Sequence, residues 1–258
     1  MNDMARGAWV YAICRGVDAE VLGTVRGVDG EAPRAVVGDD LTAVVGSVDL
    51  ARFGADALRR SLNDLDQLAA IARAHHAVVE AVATNRPTAP ARLATVFEDE
   101  DGVREMLADH REALTRALDH VAGRLEWGVK AYVAARPGPA AEPAGPAPAT
   151  GTAYLSQRRA ALRAREASQH QVSAGAGSLA ERLAPLAVDV HRHRPQDPQL
   201  SGDTRAMVLN DAYLVEIDDA ETFAHTVTGL ADAHPELSVE LTGPWPPYSF
   251  AVIEEVTP

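Results

Sequence analysis

Residues 35–48, AVVGDDLTAVVGSV, decide the fold class. Two runs rich in β-branched residues, AVV (35–37) and LTAVVGSV (41–48), flank Gly38, Asp39 and Asp40, residue types that supply turn geometry. The stretch therefore reads as a hairpin of antiparallel strands. Upstream, AWVYAIC (8–14) combines aromatic and β-branched residues and ends near Gly16, as a buried strand does. Two or three strands thus open the chain, with the hairpin ahead of the long helices.

Downstream the period changes. From Asp56 to Ala83, Leu58, Leu62, Leu65, Leu68, Ile71, Val78 and Val82 recur at helical spacing, and Asn63–Asp64 offers a break between two helices. Pro87 and Pro90 stop this stretch, and RLATVF (92–97) reads as a short strand. From Asp101 to Arg124 one helix is expected, its apolar stripe formed by Val103, Met106, Leu107, Leu114, Leu118, Val121 and Leu125. EWGVKAYV (126–133) then has a strand's length, with Trp127 and Val129 on one side and Glu126, Gly128 and Lys130 on the other.

Residues 136–150, RPGPAAEPAGPAPAT, are dense in proline and lack large apolar residues, so they read as a semi-rigid linker. Beyond it, helices are expected at Thr152 to Val172 and Ser178 to Val190, the second interrupted or started by Pro185. Strands follow at Arg205–Leu209 and Tyr213–Ile217 around a turn at Asn210–Asp211, then a helix over Ala220–Ala233 and strands at Leu237–Leu241 and Ser249–Val256. This succession argues α+β rather than a parallel βαβ fold. The expected division is an N-terminal domain over 1–135, a linker over 136–151 and a C-terminal domain over 152–258. The halves share a coarse grammar of hairpin, helix and strand, as two related ferredoxin-like units would, although no residue-level repeat links them.

Composition narrows the function. A formal charge of -13 and a pI near 5.1 repel phosphate backbones and anionic lipid, so neither nucleic acid nor membrane is expected as a partner. The basic cluster Arg158, Arg159, Arg163 and Arg165 reads as a solvated helix face. Cys14 is the only cysteine, which excludes an intramolecular disulfide and fits a reducing compartment. The N-terminus lacks the apolar stretch of a signal peptide and no run reaches a membrane span, so the expected location is the cytoplasm.

No group for bond-making chemistry emerges. His191 and His193 are surrounded by Arg192, Arg194 and Pro195 without further ligands, and read as a surface loop. His75 and His76 read as packed or capping residues. Neither GxSxG, GxxxxGK[ST] nor GxGxxG occurs, and Cys14 lies in an apolar strand that buries it. No catalytic residue, metal or cofactor is expected, and the chain reads as a non-enzyme.

Four stretches resemble the GvpF/GvpL family of gas vesicle proteins: the opening WVYAIC; His76 through PARLATVF, where Leu93 and Ala94 stand in place of the family's Phe-Gly; LEWGVKAY (125–132); and LTGPWPPYSF (241–250) together with GTAYL (151–155). The resemblance spans nearly the whole chain and implies two α+β domains, each with an antiparallel, ferredoxin-like sheet. It also implies a cytoplasmic, gas-vesicle-associated accessory or minor structural protein that binds the hydrophobic shell protein, alongside other accessory proteins, and assists assembly. The alternative is a small-molecule-binding ferredoxin-like enzyme or sensor.

The candidate partner-binding or structural residues are Arg92, Glu126, Trp127, Lys130, Tyr154, Trp245, Tyr248 and Phe250. The prolines of GPWPPYSF restrict their own φ and the residues before them, so Trp245 and Tyr248 are held at low entropic cost. These rings serve either as anchors for a partner or as closure of the second domain's core. Glu126 and Lys130 either pair with Arg92 on a neighbouring strand or form part of a binding surface.

Overall fold

A computed structural model describes residues 5–54, 64–84, 86–134, 151–195 and 205–251. Contacts divide the chain into two compact units, Met1–Glu126 with Pro244–Pro258, and Trp127–Gly243.

The first unit contains β1 (Arg6–Cys14), α1 (Ala19–Thr24), β2 (Arg34–Val37), β3 (Thr42–Asp49), α2 (Leu50–Phe53), α3 (Leu65–Ala83), β4 (Thr88–Pro90), β5 (Val96–Phe97), α4 (Glu100–Asp109) and α5 (Arg111–Val121). The hairpin forms as read, with Arg34–Val37 paired antiparallel to Thr42–Val45. The sheet order is β2-β3-β1-β4, with β5 also against β1. This is the antiparallel split order of a ferredoxin-like unit, in which the hairpin's second strand lies beside the first strand of the chain. Pro90, which has no N–H to donate, sits on the short edge strand β4.

Strand β1 is buried on both faces. Ala8, Val10 and Ile13 face one core with Val103, Met106, Leu107, Leu114 and Leu118 of α4 and α5. Trp9, Tyr11, Ala12 and Cys14 face the other, with Ile71, Val78, Val79 and Val82 of α3. The alternation slips because the pairing with β3 shifts between Val10 and Ala12, so Tyr11 is an inserted bulge residue that keeps the same side as Ala12. The ring of Tyr11 reaches Gly46 on β3, where a Cβ would stand 2.7 Å from its hydroxyl. Only glycine fits there.

Side-chain caps fix the helix starts. Asp64 accepts from the N–H groups of Asp66 (3.1 Å) and Gln67 (3.0 Å) to open α3, and Asp99 accepts from Gly102 N (2.9 Å) to open α4.

The second unit contains most of β6 (Arg124–Val133), then α6 (Gly151–Leu183), a 3-10 turn (Ala184–Leu186), β7 (Asp189–Arg192), β8 (Met207–Glu216), a second 3-10 turn (Ile217–Asp219), α7 (Ala220–Ala233) and most of β9 (Leu237–Trp245). Its sheet order, β7-β8-β6-β9, repeats the split order of the first unit. Val129 and Ala131 of β6 and Leu209, Tyr213 and Val215 of β8 pack under Val172, Leu179 and Leu183 of α6 and Phe223, Val227 and Leu230 of α7. Arg205 stacks 4.2 Å above the Tyr132 ring and bonds Glu240 at 2.6 Å, joining residues of β6 and β9. The α+β class with two antiparallel, helix-packed sheets is therefore as the sequence implied.

Several boundaries differ from the sequence reading. The expected turn at Asn210–Asp211 is the middle of the continuous strand β8, because Asp211 is buried, opposes Arg192 in register and accepts from the Tyr213 hydroxyl at 3.4 Å. The two helices expected between Thr152 and Val190 are one helix to Leu183. Its glycines are tolerated partly because Gly175 packs where a Cβ would meet Glu236 at 2.6 Å. Pro185 instead is the second residue of a 3-10 turn, Ala184–Leu186. His191 and Arg192 lie in an exposed strand rather than a loop.

The single helix expected over Asp101–Arg124 is broken at His110, whose backbone (φ -101, ψ 11) ends α4 and starts α5. Of RLATVF only Val96–Phe97 is strand. Residues 248–250 form a turn where a strand was expected, and 252–256 lie outside the described residues, as do 55–63 and the linker 136–150. The contacts also divide the chain differently from the linker-based boundaries: the segment from Pro244 belongs with the first unit, because Phe250 and Ala251 join its core.

Candidate partner-binding site

The segment that begins at the end of β9 is built as a brace for one tryptophan. Pro244, Pro246 and Pro247 restrict φ over most of it, while Gly243 supplies φ 113 at the entry, a value that side chains disfavour. Its turn is closed locally. Tyr248 N–H donates to Pro246 O (2.8 Å), and Ala251 N–H donates to Pro247 O (3.1 Å).

Four residues then fasten the segment to the first unit. Ser249 donates from its backbone N–H to Glu126 Oε2 (2.8 Å) and from its hydroxyl to Glu126 Oε1 (2.7 Å), so both carboxylate oxygens are engaged. Phe250 packs against the α4–α5 core, Ala251 is buried in it, and Tyr248 packs against the α3 core. The Tyr248 hydroxyl shares a 3.1 Å hydrogen bond with Nδ1 of His76 on α3. Burial, reinforced by the negative charges of Glu126 and Glu80, raises its pKa well above the ordinary tyrosine value, so it stays protonated.

Trp245 is left as the exposed member. Its ring lies edge-on to His76 at 5.7 Å between centroids, and 41% of its surface remains open. A large ring fixed in one orientation contributes contact area without an ordering cost on binding. The other reading of these residues, closure of the second domain's core, is corrected: Tyr248 and Phe250 close the cores of the first unit, which is where Pro244–Pro258 lies.

The remaining sequence candidates divide. Glu126 is buried and held by Ser249 in place of the expected partner Arg92, whose side chain is exposed. Trp127 packs beside Phe223 at 6.3 Å in the second unit as a core residue, and its buried indole N–H has no acceptor among the described residues. Lys130 is half-buried on β6, and Tyr154 is exposed on the first turn of α6. The structure thus groups Glu126, Trp245, Tyr248 and Phe250 in the first unit, while Trp127, Lys130 and Tyr154 belong to the second unit.

Sequence reasoning missed His76 as the support of both rings and Ser249 as the partner of Glu126. Sequence separations of 172 and 123 residues put both pairs beyond any local period. The neighbouring His75 is a core residue of a different kind. It accepts from the Trp9 indole N–H at Nδ1 (3.0 Å), which leaves its proton on Nε2 to donate to Ala91 O (3.2 Å). Burial lowers its pKa to about 4, so it is neutral near pH 7. Among the described residues no three His, Cys, Asp or Glu side chains converge as metal ligands, and no helix is long and apolar enough to cross a membrane.

Known proteins are similar to this chain in sequence and in fold. Gas vesicle protein L of a Streptomyces species is 43% identical over 96% of this chain and 93% of its own length. Gas vesicle protein F2 of Halobacterium salinarum is 28% identical over 74% and 72%. The crystal structures of GvpF from Anabaena and from Microcystis aeruginosa superpose with TM-scores of 0.67 and 0.65 at 20% and 17% identity. They cover 97% and 96% of this chain, and 98% and 99% of their own, and so share its fold. The model of the family described as gas vesicle synthesis protein GvpL/GvpF matches residues 7–252, and with that match the chain belongs to the GvpL/GvpF family.

Proposed function

We propose that this protein is a non-enzymatic accessory or minor structural component of gas vesicles, acting in the cytoplasm, where it binds the hydrophobic shell protein and assists nucleation of its assembly. The observation that carries this reading is Trp245, a large ring left exposed while Tyr248, Ser249, Phe250 and Ala251 after it are anchored. A shell subunit that must expose an apolar face needs an escort offering a complementary surface without aggregating itself. A braced tryptophan on a chain of net charge -13 has those properties.

The test is co-expression of the tagged full chain with the shell protein. Wild-type chain retains the shell protein, and Trp245→Ala lowers the retained fraction by roughly tenfold, as loss of an aromatic anchor does. Deleting the gene reduces vesicle number. Full retention by the variant, or normal vesicles in a strain lacking this gene and any paralogue, overturns the reading.

A further inference from the structure

Helix α6 is 33 residues long, about 50 Å at 1.5 Å per residue. Among its described side chains Val172 is the first that is buried, and every residue from 154 to 167 is exposed. Leu155 and Leu162, seven residues apart, share one face at 53% and 54% exposure. Arg158 and Arg165 flank this apolar pair on one side, Arg159 and Arg163 on the other. None of the four forms an ion pair among the described residues, and Glu166 is the only carboxylate between residues 151 and 170.

An apolar seam edged on both sides by uncompensated arginines is the pattern of a helix-pairing face whose charge complement is absent. A second copy of the same face would set arginine against arginine. A phosphate lattice offers nothing apolar for the leucines. Two leucines make too narrow a stripe to hold a lipid surface.

We infer that the N-terminal half of α6 is a docking surface for an acidic amphipathic helix of a partner protein, its aliphatic seam laid along Leu155 and Leu162 and its carboxylates set against Arg158, Arg159, Arg163 and Arg165. The surface shares no residue with the Trp245 segment.

The probe is a synthetic helix of leucine-seamed heptads flanked by glutamates, titrated against the full chain by fluorescence anisotropy. A scrambled peptide of the same composition, phosphatidylserine vesicles and duplex RNA serve as competing probes. Wild-type chain binds the ordered peptide in preference to all three, with affinity that falls as salt rises. Arg158→Glu/Arg163→Glu and, separately, Leu155→Ser/Leu162→Ser each weaken binding by roughly tenfold or more. Substituting lysine for glutamate in the peptide restores binding to the charge-reversed variant.

All four positions are exposed, so far-UV circular dichroism of the variants matches wild type. Trp245→Ala leaves peptide affinity unchanged, which separates this surface from the proposed shell contact. Equal binding of the scrambled peptide, no loss on Leu155→Ser/Leu162→Ser, stronger binding to vesicles or RNA, or no binding of the ordered peptide overturns the inference.

Discussion

Glu126 and Ser249 meet through both carboxylate oxygens, at 2.8 and 2.7 Å, although 123 residues separate them. The buried carboxylate takes one backbone and one hydroxyl donor, a charge-assisted pair that fixes the proline segment to the end of the first unit. Ser249→Ala removes the hydroxyl donor and keeps the amide, for an expected loss of about 1 kcal/mol. Glu126→Ala removes the acceptor of both, and leaving buried donors unsatisfied is expected to cost roughly 2–3 kcal/mol. Urea unfolding of the two variants and the double mutant measures this. Additivity in that cycle would show that the two side chains do not interact.

Trp245 and Phe250 lie five residues apart and carry opposite predictions. Phe250 packs into the α4–α5 core, so Phe250→Ala is expected to destabilise by about 2–4 kcal/mol, toward the lower end because the ring is only partly buried. Trp245 contributes an edge contact to His76 from an exposed position, so Trp245→Ala is expected to cost no more than about 1 kcal/mol. Thermal unfolding checks both. A large loss of stability on Trp245→Ala would make the ring a structural element and remove it as an anchor.

The strands of the first unit were legible because local chemistry and tertiary role agree there. In AVVGDDLTAVVGSV the turn residues and β-branched runs say the same thing that the sheet does. The Asn210–Asp211 turn is absent because Asn210 accepts from His193 N–H (2.8 Å) and donates to Arg194 O (3.2 Å) across the sheet, partners that local propensity does not see. Within the candidate site, the prolines announced a rigid segment and the family motif pointed to its aromatics. What they were fastened to was not legible, since His76 carries no periodic mark of facing Tyr248 rather than solvent.

His75 makes stability depend on pH. In the native protein its pKa is lowered to about 4 by burial, against 6.5 ordinarily. The unfolded chain therefore takes up a proton below about pH 6.5 while the native state does not. The stabilisation is whole above that value and is lost as pH falls from 6.5 toward 4. At pH 5 the loss amounts to roughly 2 kcal/mol relative to pH 7. The urea midpoint of wild type minus that of His75→Gln, followed from pH 7 to pH 5, isolates this residue from the other histidines. A difference that does not change over the window would refute the assignment.

Cys14 is fully buried, its thiol pKa pushed up to about 11, chiefly by burial. Since the thiolate is the reactive form, an aromatic disulfide reagent at neutral pH should modify the native protein only as fast as the site opens. One equivalent is expected to react promptly in denaturant, and rapid stoichiometric reaction of folded protein would contradict the buried strand.

Ala94 is the one described residue other than glycine with positive φ, at 70°. It is the third residue of a turn closed by Thr95 N–H to Arg92 O (3.3 Å), and positive φ at that position is the type II pattern that favours glycine. An L-residue there carries about 1–2 kcal/mol of steric cost, while glycine returns about half of that through unfolded-chain entropy. Ala94→Gly is therefore expected to stabilise the protein by roughly 0.5–1 kcal/mol. The same exchange at Ala77, exposed in the middle of α3, should destabilise by about 1 kcal/mol. Opposite shifts of the urea midpoint for one chemical change identify the turn geometry as the cause. If both variants lose stability, the strain at Ala94 is not being relieved, and the site tolerates its alanine for packing reasons instead.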